Sequence, residues 1–359
     1  MDKRNQIVDI LKLIFVFVIF INHLNSIAIP GEKINLIMHL GFLGVEFFFI
    51  VSGYLMFVKV DKSDCLNIGV ETVQFIFRKI SIFFPYYIIA YIIGFVVLHH
   101  STENTLKMVI KDMILSFYSI LQLQMAGFKS YQVLGPTWYL SSMVLCMMVL
   151  YPLALKYKKN FITLIAPVIA IVSYGYLSLN IGKLATINYV CGGVVYSGIL
   201  RGLGGISLGC ICWGMAKKLK KCKFTDTGKC LITFIEILLY ITVWSAMNWK
   251  IDTRLDFIIV LILLMAVSVS FSGQSFTSRL VRGEIKWIGS FSLSVYLADT
   301  IARNFVIILL PNTNRNDKIL PCFIALIIFA LIIKVFGDWI KVFYPKVKDR
   351  VVNCLFIKN

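Results

Sequence analysis

Long apolar runs follow one another from end to end of the chain, each set off by a short polar or basic stretch. They cover roughly Ile7 to Ile29, Leu36 to Val58, Ile80 to Leu98, Leu106 to Met125, Thr137 to Leu155 and Phe161 to Leu179. Leu203 to Ala216, Cys230 to Met247, Leu255 to Phe271, Ile288 to Leu310 and Leu320 to Phe343 complete the set. A helix needs about 20 apolar residues to cross about 30 Å of hydrocarbon, and segments apolar on every face have no side to offer to water. The pattern therefore predicts an all-α, polytopic transmembrane helix bundle. One run differs. Leu106 to Met125 carries Lys107, Lys111 and Asp112 at helical spacing, as expected of a helix that lies on the membrane or re-enters it. Setting it aside leaves about 10 spans.

The basic residues test that number. With Leu106 to Met125 outside the count, the clusters at Lys3 to Lys12, Lys59 to Lys79, Lys156 to Lys159, Lys217 to Lys229, Arg279 to Lys286 and Lys341 to Lys358 all fall on one side. If it spans, every cluster from Lys156 onward loses that agreement. The positive-inside bias selects the first arrangement and places both termini in the cytoplasm. Two outer stretches then stand out, His99 to Pro136 and the glycine-rich Asn180 to Gly202, either of which can shape a pocket or simply connect spans.

Composition agrees. Only 15% of residues are charged and 59% are hydrophobic, against about 25% charged in soluble domains, and no polar linker divides the chain, so residues 1–359 read as a single integral-membrane domain. The net charge of +18 resides in loop clusters, and no recognition motif accompanies it, which argues against a nucleic-acid partner. The basic start followed by an apolar run resembles a signal peptide but lacks a small-residue cleavage site, so it reads as a retained first helix. Nine cysteines without a CxxC pair suggest neither a metal site nor a disulfide framework.

Against this background the polar residues inside apolar runs are the candidates for chemistry, because a charge near the bilayer centre costs about 2.5 kcal/mol or more. The first run holds Asp9, Lys12 and His23; the second holds Glu46, Ser52, Gly53 and Tyr54. Lys12 and His23 share a helix face about 16 Å apart along the axis. Lys12 can equally snorkel to the inner boundary, Asp9 can pair with it one turn away, and His23 can hydrogen-bond to a neighbouring helix. Glu46 falls near the middle of its run with no opposite charge at helical spacing, so its partner must come from another helix, from water or from a proton. Gly53 suits close helix packing. Arg78 and Lys79 lead into the third run ahead of Pro85, where they can hold a phosphate-bearing ligand or merely mark the inner side. Asp299 with Arg303 and Lys334 with Asp338 are spaced for self-neutralising pairs, although Lys334 can alternatively reach Glu46.

These residues together resemble the integral-membrane acyltransferase family 3, whose members acylate surface glycans. Asp9, Lys12 and His23 are similar to its first-helix D-x-x-R...H pattern, and Gly44 to Leu55 (GVEFFFIVSGYL) to its GV-x-x-FF-x-x-SGYL signature. Pro136 to Ser141 (PTWYLS) and Ile288 to Leu297 (IGSFSLSVYL) resemble two later segments in the right order. The chain departs from the pattern in having lysine at position 12 for arginine, Ile82 where a further arginine is usual, and Asp299 where a histidine often follows the late YL. The resemblance implies a multi-pass enzyme of the cell membrane, a transferase that takes an acyl group, usually acetyl, from cytosolic acetyl-coenzyme A. It delivers that group to a hydroxyl of a glycan or lipid-linked sugar of the cell envelope, that is, polysaccharide O-acetylation without a metal. It implies His23 as general base, histidine being suited by an ordinary pKa of about 6.5, with Glu46 to orient it. Lys12, Arg78 and Lys79 are implied for the coenzyme phosphates, and Ser52, Tyr54 and Trp138 for the substrate. A small-solute permease is the alternative, since buried charges also mark solute pathways; no pair of interrupted helices in matching halves speaks for it.

Overall fold

Helices occupy every one of the apolar runs, as they must where no water is available to satisfy backbone groups. The structure, a computed structural model, describes residues 5–30, 32, 37–64, 66–100, 105–128, 130–248, 255–280 and 286–356, with side chains to 342 except at 279, 280 and 286. The helices are α1 (Gln6–His23), α2 (Gly44–Asp61), α3 (Ile68–His100), α4 (Leu106–Leu115), α5 (Trp138–Lys156), α6 (Ala166–Asn180), α7 (Ser197–Lys221), α8 (Asp226–Met247), α9 (Asp256–Ser272), α10 (Lys286–Leu309) and α11 (Arg315–Phe356), with a few single turns between. Among the described residues, 9 segments are long and apolar enough to cross a membrane, and α9, at 17 residues, is a shorter apolar helix beside them. The protein is thus an all-α, multi-pass membrane protein. Helix α4 is not among the spans, and it has no buried residue.

Several boundaries differ from the expected ones for local reasons. Helix α3 starts at Ile68, twelve residues before the apolar run, because the Asn67 side chain accepts the Val70 backbone N–H at 3.1 Å and so satisfies an end-of-helix donor. Its 33 residues span about 50 Å at 1.5 Å each, so the polar turns holding Arg78 and Lys79 are helical. Helix α7 starts at Ser197, inside the glycine-rich stretch expected to be a loop. Before it, Val190–Cys191 pairs antiparallel with Val195–Tyr196 around Gly192 and Gly193, both with positive φ, a geometry open to glycine. Helix α2 starts only at Gly44, after a 3-10 turn Gly41–Leu43, which puts Glu46 in the first turn and Gly53 at mid-helix. The expected start of that run, Leu36, lies outside the described residues.

Two compact units divide the chain. The first holds Met1–His23, Asn35–Asp64 and Leu145–Gly289; the second holds Leu24–Ile34, Cys65–Val144 and Ser290–Asn359. In the first, α2 packs along α7, which also contacts α6 and α9. Glycine permits that closeness. A Cβ on Gly53 would sit 2.0 Å from the Ile206 carbonyl oxygen, and one on Gly209 would sit 2.2 Å from the Ile50 carbonyl oxygen, so the two backbones touch, as at small-residue crossings in membranes. Phe15, Phe47 and Ile50 are buried in this unit, with Phe15 and Phe47 stacked at 4.3 Å. On its outer faces Ile171, Val172, Phe234 and Leu238 are exposed, a composition suited to lipid contact. In the second unit α11 packs on α3, where Gly337 leaves room for the Tyr86 ring. The pairs expected from spacing form in both units: Lys12 with Asp9 at 2.9 Å, Arg303 with Asp299 at 2.8 Å, and Lys334 with Asp338 at 2.6 Å.

Candidate active site

In the first unit, α1 carries polar groups at both ends. Near its start, Asp9 is buried and bound to the half-buried Lys12. Its last residue is His23, half-buried, and the preceding Asn22 donates to the carbonyls of Met38 and His39 at 2.8 and 3.0 Å. Those two bonds tie the segment leading into α2 to the helix end that presents His23. They also explain the late start of α2, since Met38 is held at a φ of 47°, where no L residue propagates a right-handed helix.

Glu46 is wholly buried, and its partner is Arg201 on α7, itself 1% exposed. The guanidinium Nε donates to Glu46 Oε1 at 2.8 Å, and the Tyr174 hydroxyl on α6 donates to Oε2 at 2.6 Å. The other arginine nitrogens donate to the carbonyls of Leu184 and Phe42. Leu184 in turn donates its N–H to the buried Asp256 at the head of α9 at 2.9 Å. Gly204 and Gly205 make the space: a Cβ there would lie 2.8 Å from the Tyr174 ring and 2.6 Å from Phe49 Cβ, respectively. A carboxylate and a guanidinium this deep are stable only because nearly every polar atom is bonded.

The Tyr54 ring stacks on Phe271 at 3.6 Å and lines a cavity of about 190 Å³ together with Asp61, Lys62, Trp213, Lys217 and Lys220. Lys217 bonds Asp61 at 3.3 Å and lies 4.3 Å from the Trp213 ring centre, and the three ammonium groups exceed the one carboxylate around this cavity. Ser52 is buried two residues earlier. A second buried acid, Glu236 on α8, accepts from Ser270 at 2.5 Å and Thr277 at 2.7 Å.

The second unit holds the remaining expected residues. Arg78 is exposed on α3 and reaches Gln74 at 3.5 Å; Lys79 is half-buried. Trp138 is buried at the head of α5, where the Tyr296 hydroxyl donates to the Pro136 carbonyl. Tyr86, next to Pro85, donates to Asp338 and receives from Lys341 at 3.0 Å. Helix α4 is tied to the end of α3 through His99 and Asp112 at 3.4 Å. Nearby, Tyr131 is pushed above the ordinary tyrosine pKa, chiefly by burial and then by the charge of Asp112.

Residues 5–336 match the family model of an acyltransferase domain. The chain belongs to acyltransferase family 3. No curated protein and no solved structure matches it. Family membership makes the protein a membrane-embedded acyltransferase, an enzyme that needs an acyl donor, and leaves the permease alternative without support.

Within the family chain, Lys12, His23, Glu46, Ser52 and Tyr54 belong to the first unit, and Arg78, Lys79 and Trp138 to the second. The partners of Glu46 are Arg201 and Tyr174, whereas Lys334 pairs with Asp338 on its own helix. Sequence reasoning missed Arg201, Tyr174 and the basic cavity. Arg201 was open to discovery as a lone arginine two residues before the apolar run from Leu203, but it fell within the Asn180 to Gly202 stretch, which read as an outer connection. Of the described cysteines, Cys146, Cys191, Cys210, Cys212 and Cys322 are buried and unbridged, while Cys222 and Cys230 are exposed. Among the described residues no group of three or more His, Cys, Asp or Glu is placed to hold a metal ion.

Proposed function

We propose that this acyltransferase moves an acetyl group from cytosolic acetyl-coenzyme A to a hydroxyl of an extracytoplasmic glycan or glycolipid. The observation that carries the reading is α1 itself, a family-type first helix with Lys12 in its first half and His23 as its last residue. With the lysine-rich loops facing inward, Lys12 and the Lys62, Lys217 and Lys220 cavity lie on the donor side and His23 on the acceptor side. His23 takes the proton from the attacking hydroxyl as the oxygen bonds to the acyl carbon, and the thiolate of the coenzyme leaves with the electron pair of the broken C–S bond. Lys12, Arg78 and Lys79 supply positive charge for the coenzyme phosphates. Ser52, Tyr54 and Trp138 shape the substrate path. Glu46 serves as a positioning residue, fixing α2 against α6 and α7 through its two partners.

The test uses membranes containing the full chain, labelled acetyl-coenzyme A and endogenous acceptor. Native membranes transfer label to glycan or lipid, and His23→Ala abolishes transfer while the protein still reaches the membrane. Undiminished transfer by His23→Ala removes His23 from the mechanism. Loss of one acetyl mass from surface glycans on deleting the gene identifies the product; unchanged glycans and lipids refute the reading.

A further inference from the structure

The cavity beside Tyr54 lies wholly within the first unit, toward the C-terminal ends of α2, α7 and α9. Its floor is apolar and aromatic: Tyr54 stacks on Phe271 at 3.6 Å, Val58 and Ala216 lie beside them, and the Trp213 ring packs against Phe57 at 4.8 Å. Its rim is exposed and charged. Asp61 is the last residue of α2 and Lys62 follows it, while Lys217 and Lys220 stand one turn apart near the end of α7 and so share a face. Asp61 holds Lys217 at 3.3 Å as a neutral pair. Among the lining residues, Lys62 and Lys220 add two positive charges to that pair.

Lysines at an inward-facing helix end need no ligand in themselves, since the inner-side bias and the helix dipole both favour them. Two features go beyond those rules. The carbonyls at the end of α7 are taken by Gln274, whose side chain donates to those of Lys220 and Cys222 at 3.1 and 3.3 Å, so no lysine head is needed there. The charges also surround a concave aromatic surface, which neither rule calls for. At about 190 Å³ the cavity is smaller than the roughly 300–1,000 Å³ that encloses a whole drug-sized ligand. It therefore suits one end of an elongated molecule.

We infer that this cavity holds the adenosine 3′-phosphate end of the acyl donor, with Lys62 and Lys220 on the phosphate and the rings of Tyr54, Phe271 and Trp213 lining the adenosine. The inference rests on the coenzyme A donor reading and on the lysine-rich loops facing the cytosol. A phosphate monoester carries about two negative charges at pH 7, which matches the two lysine charges that Asp61 does not offset. The pyrophosphate of the coenzyme is internal to the molecule, and its thioester lies at the far end. An adenine ring gives the aromatic floor a planar apolar face to cover. Anchored here, the donor is selected by a group that takes no part in acyl transfer, so a coenzyme without that phosphate is discriminated against.

Full-length protein in discs of neutral phosphatidylcholine, without acceptor, is titrated by calorimetry with coenzyme A and with dephospho-coenzyme A, which lacks only the 3′-phosphate. The native protein is expected to bind coenzyme A at least about tenfold more tightly. Lys62→Gln with Lys220→Gln is expected to remove that ratio by weakening coenzyme A alone. Lys218→Gln with Lys221→Gln, which changes two exposed lysines of the same helix end outside the cavity lining, is expected to leave the ratio unchanged. Equal affinities for the two coenzymes in the native protein overturn the inference while leaving the donor reading intact, and this arm needs no variant to fold. A native protein that binds neither coenzyme overturns the donor reading and the inference with it. A ratio that survives in Lys62→Gln with Lys220→Gln moves the phosphate to another site, and one that falls as far in the Lys218 and Lys221 variant traces it to the general charge of that face; either overturns the inference. Phosphatidic acid in the discs that cancels the ratio, and raises the unfolding midpoint of the native protein but not of Lys62→Gln with Lys220→Gln, assigns the cavity to a lipid headgroup and overturns it equally.

Discussion

Arg201→Met severs three donations at once, to Glu46, Leu184 and Phe42, and strands a fully buried carboxylate with Tyr174 as its remaining described donor. Breaking one side of a buried pair costs about 3–5 kcal/mol, because the surviving charge is left uncompensated. Glu46→Leu is expected to cost a similar amount by stranding the guanidinium. If the two effects were independent, the double variant would lose about 6–10 kcal/mol, a large part of the stability of an ordinary domain. It carries neither charge, however. What it loses is the arginine bonds to two carbonyls and the Tyr174 bond to the carboxylate, about 1 kcal/mol each, for a total of about 3 kcal/mol. The double variant is therefore expected to be at least as stable as either single one, with a coupling of several kcal/mol. Thermal or denaturant unfolding of the four detergent-purified proteins measures this, and acetyl transfer in the same preparations adds a second axis. Additive losses, or a cost below about 1 kcal/mol for Arg201→Met, refute the account of the pair. Restored stability with restored transfer confines Glu46 to positioning; restored stability without transfer gives its carboxylate a part in the reaction.

Gly53→Ala is expected to lower the unfolding midpoint and cost about 1–3 kcal/mol or more, since its methyl group would meet the Ile206 carbonyl oxygen at 2.0 Å; an unchanged midpoint means that α2 and α7 do not touch there. Glu236→Ala removes the carboxylate acceptor of the Ser270 and Thr277 hydroxyls, which keep the Ala266 carbonyl and the Ser275 hydroxyl as neighbours, and is expected to cost about 1–3 kcal/mol, while Glu236→Gln, which still accepts, costs less. Equal losses would show that the charge rather than the acceptor matters. Lys12→Ala is expected to raise the apparent KM for acetyl-coenzyme A more than it lowers kcat, and an unchanged KM separates Lys12 from the donor.

What was legible in the sequence was local. Helix existence and the pairs Asp9 with Lys12, Asp299 with Arg303 and Lys334 with Asp338 follow from apolar length or from spacing of three or four, both written in contiguous residues, and the exclusion of α4 from the spans follows from where the charged residues fall along the chain. The Arg201 pair with Glu46 joins residues 155 positions apart, and no periodicity encodes such a contact. Hydropathy also hid helix ends. Glu71, Gln74, Arg78 and Lys79 interrupt the apolar signal, yet backbone hydrogen bonding runs through them from an Asn67 cap that a search for capping residues would have found. The glycines of 180–202 serve opposite purposes. Gly192 and Gly193 turn a hairpin, whereas Gly198 and Gly202 lie inside a helix, and composition alone cannot separate the two uses.

The substitution of lysine for arginine at position 12 takes on a sharper meaning once its partner is known. The Lys12 ammonium already lies 2.9 Å from Asp9 and its side chain is 24% exposed. An arginine in that place could bond the aspartate with one edge of its planar fork and keep the other edge for a phosphate, whereas an ammonium is a point charge shared between whatever surrounds it. Under the proposed donor role, attraction of the donor phosphates leans on other cations. The lysines at positions 62, 217 and 220 stand around a cavity with a single carboxylate, that of Asp61, which holds Lys217 at 3.3 Å, so the group keeps a net positive charge that the Asp9 and Lys12 pair does not. On this reasoning Lys12→Arg strengthens use of the donor, and neutralising Lys217 with Lys220 weakens it more than Lys12→Ala does.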